Sequence, residues 1–224
     1  MNKKLSSKAI ALLSLSLSTT LWGQSFISAD LASTSDTVAT FGTNLDHTTD
    51  QSGLPAGALA AATDATILNI SHDLGFDAGI QFVDAPEAGV STGSTSGTFD
   101  YTFNSAVDIT DVYVWNYSQS GFGNRGLGDY NIFVDTGSGF GSSIATGTLN
   151  AANYVNGSHF AQEIDLGGTH SGVVGLRISA LNLGGDSIGL DEVAFRAVIP
   201  EPSYYTLFAG SLVLAILAIR KRRS

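Results

Sequence analysis

Gly121-Phe122-Gly123-Asn124-Arg125-Gly126 satisfies G-x-G-x-x-G, the spacing with which a glycine-rich turn brings backbone N–H groups up to a pyrophosphate. That chemistry needs a helix directly after the glycines, whereas Leu127–Asp135 alternates as a strand, so the segment reads as a loop at the rim of a sheet. In such a loop Asn124 and Arg125 can hydrogen-bond sugar hydroxyls, with Trp115, Tyr117 and Phe122 as rings against which sugar C–H faces pack. The competing reading puts Trp115 and Tyr117 in the core and Arg125 in an ion pair. Asp186, Asp191 and Glu192 offer oxygen ligands for a structural Ca²⁺ without the spacing of an EF-hand loop; a solvated acidic face is the alternative. No other cofactor is required by the residues present.

Enzyme chemistry finds little support. The chain has neither H-E-x-x-H nor G-x-S-x-G, and His47, His72, His159 and His170 stand apart from one another without metal-ligand spacing, as solvated loop histidines do. A glycosidase needs two carboxylates at a set separation, and so acidic a chain supplies too many pairs for any to be informative. No residue is therefore assigned a catalytic role. Asn69-Ile70-Ser71, Asn116-Tyr117-Ser118 and Asn156-Gly157-Ser158 match the glycosylation sequon and read as coincidences.

The elements that must position these residues are short and alternating. Phe99, Tyr101 and Phe103 form one run, Val112–Tyr117 a second and Tyr130, Ile132 and Val134 a third; Phe160–Leu166, Val174–Ile178 and Val193–Phe195 follow. Earlier candidates are Val38–Phe41, Ala65–Ser71 and Ile80–Val83, and the glycine clusters between runs are turn chemistry. About nine strands in some 175 residues predict an all-β, antiparallel two-sheet sandwich of jelly-roll type. Of the 224 residues none is Cys, so disulfides and thiolate metal sites are excluded. Only Arg125, Arg177 and Arg196 face nineteen acids between Gln24 and Ile199, which excludes nucleic acid as a partner. Arg177 and Arg196 are expected to pair with acids.

The remaining cations mark the two ends. Residues 1–24 carry Lys3, Lys4 and Lys8, then an apolar run from Ala9 to Leu17, then small and polar residues, the layout of a secretory signal peptide that engages the secretion translocon. Gly23 and Ser25 both suit the last position before cleavage. Residues 25–198 are the exported body. Residues 199–224 contain Pro200-Glu201-Pro202, then the sixteen uncharged residues Tyr204–Ile219, then Arg220-Lys221-Arg222-Arg223. Such a helix is about 24 Å long, a short transmembrane span held with its C-terminus in the cytoplasm by the basic cluster.

The order of these three parts resembles the PEP-CTERM sorting tail of Gram-negative bacteria that make extracellular polysaccharide. The resemblance implies recognition by an exosortase, a membrane transpeptidase, with Glu201 and its prolines as substrate, and a body that moves from transient inner-membrane anchoring to the cell surface or extracellular matrix. Within the body, Val112–Tyr117, Asn124–Leu127, Asp129–Val134, Leu176–Ile178 and Ile188–Phe195 resemble the central and last strands of galactose-binding-like, discoidin-type jelly rolls. That resemblance implies the fold, with extracellular polysaccharide as the expected partner of a non-catalytic, glycan-associated protein. A secreted polysaccharide hydrolase or lyase on the same sandwich, and a purely structural adhesive or spacer, are the alternatives.

Overall fold

A computed structural model describes residues 22–34, 48–51, 53–73, 90–92, 95–117, 123–151, 158–185 and 188–200. Gln24–Ile199 forms one compact unit. Apart from its last residues, Trp22, Gly23 and Gln24, the expected signal peptide lies outside the described residues, as do Glu201, Pro202, the apolar tail and the basic cluster. Among the described residues no helix is long and apolar enough to cross a membrane.

The described strands are β1 (Trp22–Ile27), β2 (Leu31–Thr34), β3 (Ser71–Asp73), β4 (Val90–Thr92), β5 (Ser96–Asn116), β6 (Leu127–Asp135), β7 (Ala145–Thr148), β8 (Ser158–Phe160), β9 (Gln162–Asn182) and β10 (Ile188–Pro200). One helical turn, α1 (Ala58–Ala61), stands between β2 and β3. Eight strands form one hydrogen-bonded network in the order β1-β10-β5-β9-β6-β7, with β2 added to β5 and β4 to β10; β3 and β8 form a separate antiparallel pair.

β5 and β9 make this network a sandwich. The first half of β5, Ser96–Thr102, pairs with Leu181–Gly175 of β9, and β2 and β6 extend that layer. The second half, Ile109–Val114, pairs with the first half of β9, while β10 extends it on the other side. Between the halves the register slips three times, at Thr102/Val107, Val107/Ile109 and Ile109/Asp111. Each slip bends and twists the ribbon, so the two layers face one another. On β9 the bend uses Gly167, Gly168 and Gly172 at φ 76°, 151° and 71°, a region residues with a Cβ avoid. Asp165 accepts the N–H of Gly167 and Asp108 that of Gly172, so the turning backbone is hydrogen-bonded by side chains.

Phe99, Tyr101 and Phe103 from one layer and Val112, Val114, Val193 and Phe195 from the other fill the space between. The Phe195 ring meets Tyr101 at 5.6 Å and Phe103 at 5.1 Å between centroids, both edge to face, which ties the layers together. A second apolar cluster covers the outer face of the β10–β5 layer: Phe26, Leu54, Leu59 and Ile67 pack on Tyr113, Trp115 and Ala194. Both faces of that layer are therefore buried.

The all-β antiparallel sandwich expected from the alternation is present, with three local differences, the first being that Phe160–Leu166 divides between β8, which holds Phe160, and β9, which holds Ile164 and Leu166. Runs expected as separate strands merge into the 21-residue β5 and β9. Ala65–Ser71 is not one strand: Ile67–Asn69 is a 3-10 turn and only Ser71 enters β3. Here Thr63 accepts from the backbone N–H groups of Thr66 and Ile67 at 2.8 and 2.9 Å, and its own N–H donates to the Thr66 hydroxyl. These local bonds capture the chain before a ladder can. The candidates at Val38–Phe41 and Ile80–Val83 lie outside the described residues.

Candidate functional site

The rim between β5 and β6 contains what is described of the glycine-rich motif. Gly123–Arg125 is a single 3-10 turn and β6 follows at Leu127, so no helix N-terminus is available to cradle phosphate. The motif's last glycine serves close packing. A Cβ on Gly126 would lie 2.7 Å from Oδ1 of Asn116, which is fully buried. Asn116 donates to the carbonyls of Leu127 and Asn150 and accepts from the N–H groups of Leu127 and Tyr117, clamping the loop to the end of β5. Its burial also rules it out as a glycosylation acceptor.

Asn124 is exposed and Arg125 half-buried on this rim. The Asn124 carbonyl accepts the N–H of Gly185 at 3.0 Å, so the β9–β10 turn supports the loop from behind. The aromatic platforms require correction. Trp115 is fully buried and its indole N–H donates to the carbonyl of Ile70 at 2.9 Å. Tyr117 is also buried. A platform must present a ring face to solvent, and these two belong to the packing beneath the rim instead. Phe122 lies outside the described residues. Of the five expected glycan contacts, Asn124 and Arg125 are left at the surface of the described chain.

The other arginines pair as expected. Arg177 forms a two-pronged contact with Asp100, 2.7 Å at each prong, and lies 4.2 Å over the Phe140 ring. Arg196 reaches Asp111 at 3.2 Å and Glu163 at 2.8 Å, and also donates to the Tyr113 hydroxyl. Burial raises the Asp111 carboxyl above its usual range even though Arg196 opposes the shift.

The main surprise is a buried pair of histidines. His72 on β3 and His159 on β8 face each other in register, both buried, with ring centroids 5.2 Å apart. Asp191 on β10 completes a trio. The ladder slips between Leu190 and Glu192, leaving Asp191 as the extra residue, and the bulge turns its carboxylate toward His159, where Oδ2 lies 3.2 Å from Nε2. Gly53 closes over the imidazole of His72: a Cβ there would stand 1.9 Å from the ring, so only glycine fits. For His72 and His159, reading the histidines as isolated and solvated is thus overturned, because strand pairing joins residues that sequence spacing separates; His47 lies outside the described residues and His170 stands apart on β9.

The Ca²⁺ expectation changes with this geometry. Asp186 lies outside the described residues, and among the described residues Asp191 is grouped with two imidazoles, a donor set unlike the all-oxygen one that Ca²⁺ takes. Glu192 is fully buried beside it. Burial, and next the charge of Asp50, pushes its carboxyl up to about 9. Neither of its oxygens has a hydrogen bond of ordinary geometry, and the N–H groups of Gln51 and Val193 oppose the shift only in part.

Neither a family model nor a curated protein matches the chain by sequence. Solved structures do resemble it. The CBM32 of AlyQ in complex with 4,5-unsaturated mannuronic acid has 11% identity and a TM-score of 0.47, covering 76% of this chain and 96% of that one. The family 32 CBM of NanJ from C. perfringens in complex with galactose has 11% identity and a TM-score of 0.49, covering 77% and 98%. The F5/8 type C domain of a Bacteroides fragilis protein has 16% identity and a TM-score of 0.43, covering 78% and 97%. At these identities the likeness is one of strand arrangement alone.

Proposed function

We propose that this chain is an exported, non-catalytic protein of the bacterial cell surface or polysaccharide matrix, its β-sandwich associated with glycan and its C-terminal tail read by an exosortase. The observation that carries the reading is the join between body and tail. β10, hydrogen-bonded in the network between β1 and β5, ends at Pro200, and Pro200-Glu201-Pro202 begins there. A cut at the motif would release the complete sandwich. The prolines remove two backbone donors and keep the segment extended, as a processing enzyme requires. At the other end, removal of the signal peptide after Gly23 would keep Phe26, which packs edge to face on Tyr113 at 5.4 Å. The surplus of acids keeps the released body soluble.

The intact mass of protein recovered from the outer surface of its native host tests this. The expected species starts near residue 24 and ends near Pro200. Glu201→Gln should still reach the membrane but accumulate uncut; normal processing of that variant would remove the motif's role. On a glycan array the released body should bind saturably, and Arg125→Ala should weaken that binding at least severalfold. The burial of Trp115 and Tyr117 favours a second reading, a structural spacer without a small ligand, for which the array would show no saturable binding.

A further inference from the structure

We infer that His72, His159 and Asp191 form a binding site for one divalent transition-metal ion, Zn²⁺ being the best fit, which fastens the β3–β8 pair to β10. One ligand atom from each residue falls within a sphere of mutual distances no greater than 4.8 Å, and all three residues are buried. Tetrahedral zinc with ligands at about 2.0–2.1 Å places those ligands roughly 3.3 Å from one another. His159 Nε2 and Asp191 Oδ2 already stand 3.2 Å apart, so small rotations of His72 and its neighbours complete the set. Two imidazole nitrogens and one carboxylate oxygen suit zinc and its neighbours in the first transition row over Ca²⁺ or Mg²⁺.

Three further observations point to an ion. His159 is fully buried, yet Nε2, the nitrogen that stands 3.2 Å from Asp191 Oδ2, makes no hydrogen bond of ordinary geometry among the described residues. Burying polar groups in this way is costly unless they are hydrogen-bonded or coordinate a metal. Asp191 is itself buried and presents its carboxylate to the two imidazoles. The bulge at Asp191 turns one ligand inward, and the Gly53 backbone, packed against the His72 ring, holds another in place. Three protein ligands leave the fourth tetrahedral position to a water. Because the ligands come from β3, β8 and β10, binding is coupled to closure of that part of the fold.

The full chain, purified in detergent and stripped with EDTA, is tested with Zn²⁺ alone. One zinc per chain should survive removal of excess metal, and the thermal midpoint should rise by about 5–10 °C at free zinc one hundred times the dissociation constant. Asp191→Asn and His159→Gln should bind at least tenfold more weakly, whereas His170→Gln, on β9, should match the parent. Retention well below one per chain, or retention unchanged in Asp191→Asn, would overturn the site. Should both variants fail to fold, Co²⁺ bound to the parent decides the matter. An intense visible spectrum of four- or five-coordinate cobalt supports the site, and the weak spectrum of the hydrated ion refutes it.

Discussion

Asn116 shows how much a single buried side chain can hold. Its amide serves two carbonyls and two N–H groups, on Tyr117 just past β5, on Leu127 of β6 and on Asn150 after β7. Asn116→Ala strands those groups in the interior and should cost about 3 kcal/mol, read as a lower urea midpoint at unchanged slope. Glu192 makes the opposite kind of contribution. Folded, it keeps its proton up to about pH 9; unfolded, only up to the ordinary value of 4.5. The folded chain therefore binds more protons between those limits, and stability falls as pH rises through the window. In EDTA the thermal midpoint should drop from pH 5 to pH 8, and Glu192→Gln should flatten that drop and be the more stable protein at pH 8. Equal slopes in the two proteins would show that Glu192 is not the group responsible.

At the scale of elements, the bends in β5 and β9 set the architecture, and on β9 they depend on glycine. Gly172 has open space around its missing Cβ, so Gly172→Ala meets only the penalty of a positive φ, about 1–2 kcal/mol. An unchanged thermal midpoint would mean that the bend relaxes without loss. The same elements show why part of the structure could be read from sequence. Period-two alternation at Phe99–Phe103 and Tyr130–Val134 identified strands and their buried faces, because local geometry makes that pattern. Alternation stays silent on continuity, so the slips joining the halves of β5 were not legible. Trp115 illustrates a related limit. Its strand is covered on both faces, one by residues 48–73, whose turns are held by local threonine bonds without apolar periodicity. A tryptophan in an alternating strand then looks the same whether solvent or another layer lies beyond it. The histidine–aspartate trio was hidden for a third reason: its members meet through the pairing of β3 with β8 and through one bulge, and only the tertiary fold specifies either.

For the whole molecule, the order of strands matters more than their number. β10 is the last of the described strands, and it lies inside the network, hydrogen-bonded to β1, β4 and β5. It also supplies Val193 and Phe195 to the main core, Ala194 to the second cluster, and Asp191 to the buried trio. A chain ending at Leu183 would leave the inner edge of β5 open and both apolar clusters incomplete. It should be degraded rapidly by a nonspecific protease under conditions where the full chain resists, and equal resistance would refute the keystone role of β10.

The placement of β10 also fixes when the molecule can become itself. A chain that emerges N-terminus first, from a ribosome or through a translocation channel, exposes β5 long before the strand that must lie against it exists on the same side. Its pairings are between residues far apart in sequence, and such topologies form slowly. Until β10 emerges, the edge of β5 that it covers and the apolar cluster to which it gives Ala194 stay incomplete, so closure of that layer waits on the last part of the described chain.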